Sequence, residues 1–436
     1  MARQLTVVAP AGTGAGARAY PWYMLALFVV ANSFNTIDRV AMNLLIEPIR
    51  REFGFGDLQV GVIAGFGFAA FHALFGIPIA RRADRGNRRN LLGLGVLLWS
   101  GMTVLTGRAG SFLSMLAIRV GVGVGEATCY PTAVPMIGDV FGKSQRSAAL
   151  AIFQTGAFIG VVGGSAVVGL IAASHGWRAV FTALGMPGLV LALLIVLTVR
   201  EPPRGAASDA ADATLASGSY RQAWTLLRSN RRFGLLFVAV ALMWTGASAL
   251  IIWGPPFLMR LHGVGAREVG TVVGPITGGA GLIGTLVGGA LSARLVKRSG
   301  DPRAPLRLVT LGALLATPAT LVFVFSSSLA VALAGGAVAV FFNGIACGPI
   351  LAAAIVLVPS DQRGLASSLI VVFAQQLLGL GISPLIVGLA SDAGAASLGD
   401  QSLRWAMLIP CVALAGGWIA ARAAARDTGL IEKAHA

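Results

Sequence analysis

Charge is scarce in this chain. Only 11% of its 436 residues are Asp, Glu, Lys or Arg, where a soluble domain carries roughly 25%. Too little polar surface remains to coat a water-soluble fold, and with 56% hydrophobic residues the chain reads as an integral membrane protein. Acids are the scarcer sign, 17 against 33 bases. Cys129, Cys347 and Cys411 lie far apart in apolar runs, the four histidines are scattered, and no CxxC or Cys/His spacing suggests a metal. Walker A, HExxH and GxSxG motifs are missing. RVGVGVGEA at 119–127 imitates a nucleotide-binding glycine pattern, but it falls inside an apolar run and follows no strand. These absences argue against an enzyme, a cofactor and an ATP-driven pump, and leave an ion gradient as the source of drive. The first 20 residues lack a short apolar core with a cleavage site, so they read as a tail.

What is abundant is apolar sequence in runs of about 20 residues, the length that crosses roughly 30 Å of hydrocarbon as a helix. In lipid every backbone group must pair internally, which makes these runs helices; the short alternating segments of a β-barrel do not dominate. Twelve spans are predicted, at about 22–46, 57–80, 90–107, 112–137, 147–173, 179–198, 233–258, 267–293, 306–325, 328–357, 364–390 and 403–424. The expected architecture is all-α, with a tail at 1–21, a six-helix bundle at 22–199 and a cytoplasmic linker at 200–232. A second six-helix bundle at 233–424 and a tail at 425–436 complete it. The linker is polar and Pro-broken, and a short helix is predicted in it near 220–227. With both termini cytoplasmic, about 24 of the 33 Lys and Arg fall in cytoplasmic segments and about 7 outside. That asymmetry accounts for the net charge of +16 without a nucleic-acid partner, and it suits a bacterial inner membrane. RRADRGNRR and ARLVKRSGDPR occupy equivalent positions in the two halves, a weak repeat of the kind transporters use.

Two acids, Asp38 and Glu126, and two bases, Arg39 and Arg119, are predicted at membrane depth, where an ionisable side chain marks a functional site by default. Asp38 and Arg39 diverge by about 100° on a helix. Asn32, Asn35 and Arg39 therefore share a polar face. A titratable carboxylate beside a fixed cation suits proton uptake. Arg119 and Glu126 lie about two turns apart on nearly one face, so Glu126 reads as a second protonatable group or a partner for Arg39 across a cavity. Gly121, Gly123 and Gly125 let a neighbouring helix approach closely, as do Gly156, Gly160, Gly163 and Gly164. Tyr130, Gln154, Asn343, Gln375 and Gln376 are candidate polar groups of a substrate cavity; Phe66, Phe68, Phe71, Trp244 and Phe342 are candidates for its apolar wall. His72 reads as a packing residue, and Trp22, Trp99, Trp177 and Trp405 as interface anchors. Asp84 with Arg85, Arg88 and Arg89 reads as a conformational latch.

Together these motifs resemble the major facilitator superfamily. ADRGNRR at 83–89 is similar to its signature loop between helices two and three, with Ala80 where a glycine is usual. RVGVGVGEA resembles its helix-four pattern, and the glycines of the fifth span resemble the exporter motif, with Val161 in place of its proline. IDR at 37–39, GEATCYPTAVPMIGDVF at 125–141, VPSDQRGLASSL at 358–369 and SPLIVGLASD at 383–392 most resemble the Spinster-like branch. The related anion–cation symporter branch shares several of them. Spinster-like proteins are understood as proton-linked carriers of lysolipids and sphingoid phosphates in animals. The resemblance implies two rocking six-helix bundles, Asp38 as proton site, Arg39 as substrate-anion or coupling partner, and Glu126 as second carboxylate. The expectation is a monomeric, proton-coupled transporter of an amphiphilic or small organic anion, in contact with membrane lipids. A multidrug or sugar-acid carrier, and a non-transporting receptor, are the alternatives.

Overall fold

A computed structural model of the chain describes residues 15–204, 220–301, 303–359 and 362–426. Helix dominates them, as the apolar runs require. The first helix, α1 (Ala15–Phe53), ends at Gly54, whose φ of 68° few side chains tolerate. It is followed by α2 (Asp57–Arg85) and α3 (Arg88–Thr106). Asn87 caps α3 by accepting from the Asn90 N–H at 2.8 Å. Ser111 begins α4 (Phe112–Glu126), which runs on through a turn into α5 (Cys129–Val140). The 56-residue α6 (Lys143–Thr198) breaks at Gly176, where φ is 77°. The short helix predicted in the linker is α7 (Tyr220–Ser229). After it come α8 (Arg231–Leu261), α9 (Ala266–Ser299), α10 (Pro305–Phe325), α11 (Leu329–Val356), α12 (363–398) and α13 (Leu408–Arg426). The remainder of the predicted linker at 205–219, and the tails at 1–14 and 427–436, lie outside the described residues.

Among the described residues eight helical segments are long and apolar enough to cross a membrane. Two of them, Ser144–Thr198 with 55 residues and Leu365–Arg426 with 62, far exceed the roughly 20 residues one crossing needs. Leu113 (74% exposed) and Leu197 (76%) stand on the outside of their helices, an arrangement suited to lipid and not to water.

The chain falls into two compact units. The first takes the described residues up to Gly54, those from 67 to 204, and Ala266–Pro275. The second takes Phe55–Phe66, residues 220–265 and the described residues from Ile276 onward. Each therefore holds the head of one helix from the other half: α2 in one case, α9 in the other. Both heads contain a stretch that widens to i→i+5 bonding, at Val62–Phe66 and at Val269–Val273.

Glycines set the packing of the first unit. A Cβ on Gly160 would lie 2.7 Å from the Ser33 carbonyl, and one on Gly156 would strike the Val29 carbonyl, so α6 can lie flush on α1 only without them. Gly163 faces open space and takes no part in this seam. Trp99 (1% exposed) and Trp177 (7%) are buried in packing and are not interface anchors; Trp22 (45%) and Trp405 (51%) are exposed as expected. The second unit is built on Phe233, Leu236, Val240, Val309, Ala313, Ile350 and Ala353 from α8, α10 and α11.

Candidate functional site

The four ionisable residues expected at membrane depth meet in the first unit as two ion pairs. Asp38 is 2% exposed on α1. Its Oδ1 accepts from Thr103 Oγ1 at 2.6 Å, and its Oδ2 from Arg119 Nη1 at 2.8 Å. A void of about 10 Å³ lies beside it, lined by Phe34, Ile37, Trp99, Ser100 and Thr103 among others. That is close to the room one water needs. Arg39 points elsewhere, as the helical turn requires. Its Nη2 donates to Asn35 Oδ1 at 2.6 Å, and its Nε stands 3.3 Å from Glu126 Oε2. The Arg39 side chain is 29% exposed, whereas Glu126 is buried. The counter-ion of Asp38 is thus Arg119, and that of Arg39 is Glu126.

Phe68 holds the two pairs side by side. Its ring centroid lies 5.6 Å from Arg39 Cζ and 5.4 Å from Arg119 Cζ, within cation–π range of each. Gly123 permits this, because a Cβ there would come within 2.7 Å of the Phe68 carbonyl. Gly121 and Gly125 face Met102 and Trp99 of α3 instead. Alternating glycines therefore admit two different neighbours to α4. His72 stacks on Phe68 at 5.3 Å, with its Nδ1 unpartnered.

The two carboxylates differ in how they are held. Asp38 accepts two hydrogen bonds. Both oxygens of Glu126 lack a hydrogen-bond partner, so it is held by the charge of Arg39. Protonating Glu126 breaks no hydrogen bond, whereas protonating Asp38 disturbs the donors of Thr103 and Arg119. Asn32 Oδ1 and Asn35 Nδ2 are also buried and unpartnered, while Asn32 Nδ2 donates to the Phe153 carbonyl at 3.0 Å. Tyr130 is 40% exposed and donates to Gln154 Oε1 at 2.9 Å. Phe71 is half-buried one turn beyond Phe68.

Trp244, Asn343 and Gln375 belong to the second unit. Trp244 is half-buried and packs where Gly379 leaves room. Asn343 donates to the Ala339 carbonyl of its own helix at 3.0 Å. Gln375 is half-buried on α12. Trp253 is buried there and donates to the Pro384 carbonyl at 3.3 Å.

In the basic loop, Arg88 carries the contacts. It is 4% exposed, and its Nε donates to Glu201 Oε1 at 2.8 Å while its Nη1 donates to Asp139 Oδ2 at 2.6 Å. Glu201 Oε2 also accepts from the Arg89 N–H at 2.8 Å. Asp84 and Arg85 are exposed, and neither makes an ion pair among the described residues. Arg204 instead donates to the carbonyls of Ala83, Asp84 and Gly86. Sequence reasoning missed Asp139, Glu201 and Arg204. The signal for the two acids was a carboxylate in the last turn of a helix, Asp139 in GDVF, and one just past a helix end, Glu201 in REPPR.

A second missed cluster lies in the second unit. Arg260 clamps Asp57 with two hydrogen bonds of 2.7 and 2.8 Å, and Ser391 donates to the same carboxylate at 2.6 Å. Asp392 caps α2 by accepting from the N–H groups of Asp57 and Leu58, at 2.7 and 2.8 Å.

Comparison with known proteins agrees with this architecture. The family model of the Major Facilitator Superfamily matches residues 24–384. The chain is 33% identical over 421 residues to an MFS-type efflux pump of Mycolicibacterium smegmatis, covering 95% of each. It is 31% identical over 402 residues to human Protein spinster homolog 1, covering 85% of this chain and 72% of that one. A crystal structure of a bacterial homolog of the human lysosomal transporter Spinster matches with TM-score 0.81 and 28% identity, covering 94% of this chain and 97% of that one. The chain therefore belongs to the Major Facilitator Superfamily, and is a membrane carrier of Spinster type, not an enzyme.

Proposed function

We propose that this protein is a proton-coupled secondary transporter of an amphiphilic organic anion. The observation that carries the reading is the Arg39–Glu126 pair, a partly exposed cation whose buried partner accepts no hydrogen bond. A proton on Glu126 cancels its charge and frees Arg39 for a phosphate or carboxylate. Loss of that proton restores the pair and expels the anion. Asp38, with Arg119, is the second carboxylate of the cycle. Phe71 and the Tyr130 ring suit an apolar body, and the few nearby amides suit a sugar acid poorly. Within that class, the substrates implied by the Spinster-like resemblance of the motifs, lysolipids and sphingoid phosphates, are the first candidates.

The wider reading assigns twelve spans in two six-helix bundles that alternate access across a bacterial inner membrane. It divides α6 at Gly176, and the long apolar segment formed by α12 and α13 at Gly399, where φ is 53°. The basic loops favour cytoplasmic termini in this reading. Outward transport is a second reading, favoured by the mutual 95% coverage with the mycobacterial efflux pump.

Proteoliposomes enclosing a pH-sensitive dye test it, with lysophospholipids, sphingoid phosphates, sugar acids and cationic drugs added in turn. Proton flux is expected with the amphiphilic anions. It should vanish in Asp38→Asn and Glu126→Gln, and Arg39→Ala should weaken anions far more than neutral analogues. Flux that survives in both carboxylate variants rules out the coupling mechanism. Equal effects on anions and neutral analogues remove Arg39 from the binding site.

A further inference from the structure

The end of α2 and the start of α3 enclose a cleft of about 590 Å³ that the transport site does not use. Arg81, Arg82 and Arg85 line one side of it, and Asn87, Leu91 and Leu94 the other. All three arginines are exposed, and none makes an ion pair among the described residues. The acids of this region, Asp139 and Glu201, are committed to Arg88. Asp84, the nearest acid in sequence, is not in the lining. Among the described residues the cleft is therefore a positive site without a paired acid, at a helix–helix junction.

Beyond Asn87 and Asn90, the α3 part of the lining is apolar, at Leu91 and Leu94. Leu94 is 62% exposed, and the bare surface continues along α3 to Leu97 at 45%. A soluble anion has no use for that track, whereas a ligand with a charged head and hydrocarbon tails uses both walls. The N-terminus of α3 adds little, because the N–H groups of Arg89 and Asn90 already donate to Glu201 and Asn87. Recognition falls on the guanidinium groups, which bind phosphate oxygens in a fork.

We propose that this cleft binds the phosphodiester headgroup of an anionic diacyl phospholipid, with its acyl chains along Leu91, Leu94 and Leu97. Basic pockets between membrane helices recognise such headgroups in general. The site requires only the membrane setting and is independent of the substrate proposed above.

Native mass spectrometry of the full-length protein titrated with phosphatidylglycerol or phosphatidylcholine tests it. Phosphatidylglycerol is expected to bind more tightly, and each arginine replaced in Arg81→Ala, Arg82→Ala and Arg85→Ala should cost about fivefold in affinity. Leu94→Asn should weaken phosphatidylglycerol with the charge left intact. A control removing the second basic cluster, Arg294→Ala, Lys297→Ala and Arg298→Ala, should retain the tight site. The proposal falls if the control loses as much affinity as the Arg81, Arg82 and Arg85 variant. It also falls if phosphatidylcholine binds equally well, or if inorganic phosphate displaces the lipid at matched concentration.

Discussion

Asp38 and Arg39 are consecutive, yet they serve different ion pairs. The helix turns them about 100° apart, so Asp38 meets Arg119 and Arg39 meets Glu126, two charges about two turns apart along one face of α4. Arg119 is 1% exposed and its Nε has no hydrogen-bond partner. Removing Asp38 would leave that guanidinium buried without a counter-charge, a loss of about 3–5 kcal/mol in comparable buried pairs. Asp38→Asn and Arg119→Gln should each lower the melting temperature in detergent. The double variant should recover much of that loss, because no lone charge remains, yet stay inactive in proton flux. A double variant no more stable than either single one would mean that the pair contributes by shape and not by charge. Arg39 is partly exposed but its partner Glu126 is buried and accepts no hydrogen bond, so Arg39→Ala should impair transport and also cost stability unless Glu126 takes up a proton.

At the scale of the element, breaks matter as much as helices. The turn at Gly176 presents Trp177 and Arg178 to Glu52 at the end of α1. Trp177 Nε1 donates to the carboxylate at 2.7 Å and Arg178 Nη1 at 2.6 Å. Glu52 lies beyond the predicted span, and the Arg178 hydrogen bond, with that of Trp177, holds its carboxyl below the ordinary value of 4.5. A lowered carboxyl stabilises the fold above the unfolded-state value and stops doing so as pH falls through the folded one. Wild-type protein should therefore melt above Glu52→Gln at neutral pH, and the gap should close on acidification below 4.5. A gap independent of pH would show that Glu52 acts without its charge. The basic loop teaches a related lesson. Its motif was legible, but Arg88, one of four candidates, holds Asp139 and Glu201. Nothing in the spacing of RRADRGNRR distinguishes Arg88 from Arg85 or Arg89, because the distinction comes from acids 51 and 113 residues away.

For the whole molecule, the telling feature is the membership of the two units. The head of α2 goes with the second unit and the head of α9 with the first, and both carry a widened turn. These are corresponding places in the two halves, so the repeat seen faintly in the basic loops has a structural counterpart. Asp392 and the Asp57–Arg260 pair fasten the α2 head within its unit. Asp392→Ala should lower unfolding stability by roughly 1 kcal/mol, the usual worth of an N-cap. Hydrogen exchange should show the loss first at Asp57 and Leu58. Unchanged exchange there would exclude a capping role.

Local physics made the class of this protein and its helices legible. Run length and hydropathy act through neighbouring residues, and the cost of charge in lipid singles out Asp38, Arg39, Arg119 and Glu126 before any packing is known. The helical turn already separated Asp38 from Arg39, and left Glu126 as either a second protonatable group or a partner for Arg39. Only the tertiary structure decided that Thr103 and Arg119 hold Asp38 while Glu126 accepts no hydrogen bond. It alone placed Phe68 against both guanidinium groups, buried Trp99, and gave Arg260 and Asp392 to the head of α2. Those partners lie far apart in the chain, and they meet because glycines let particular helix pairs approach, a property of two surfaces together and not of either sequence segment alone.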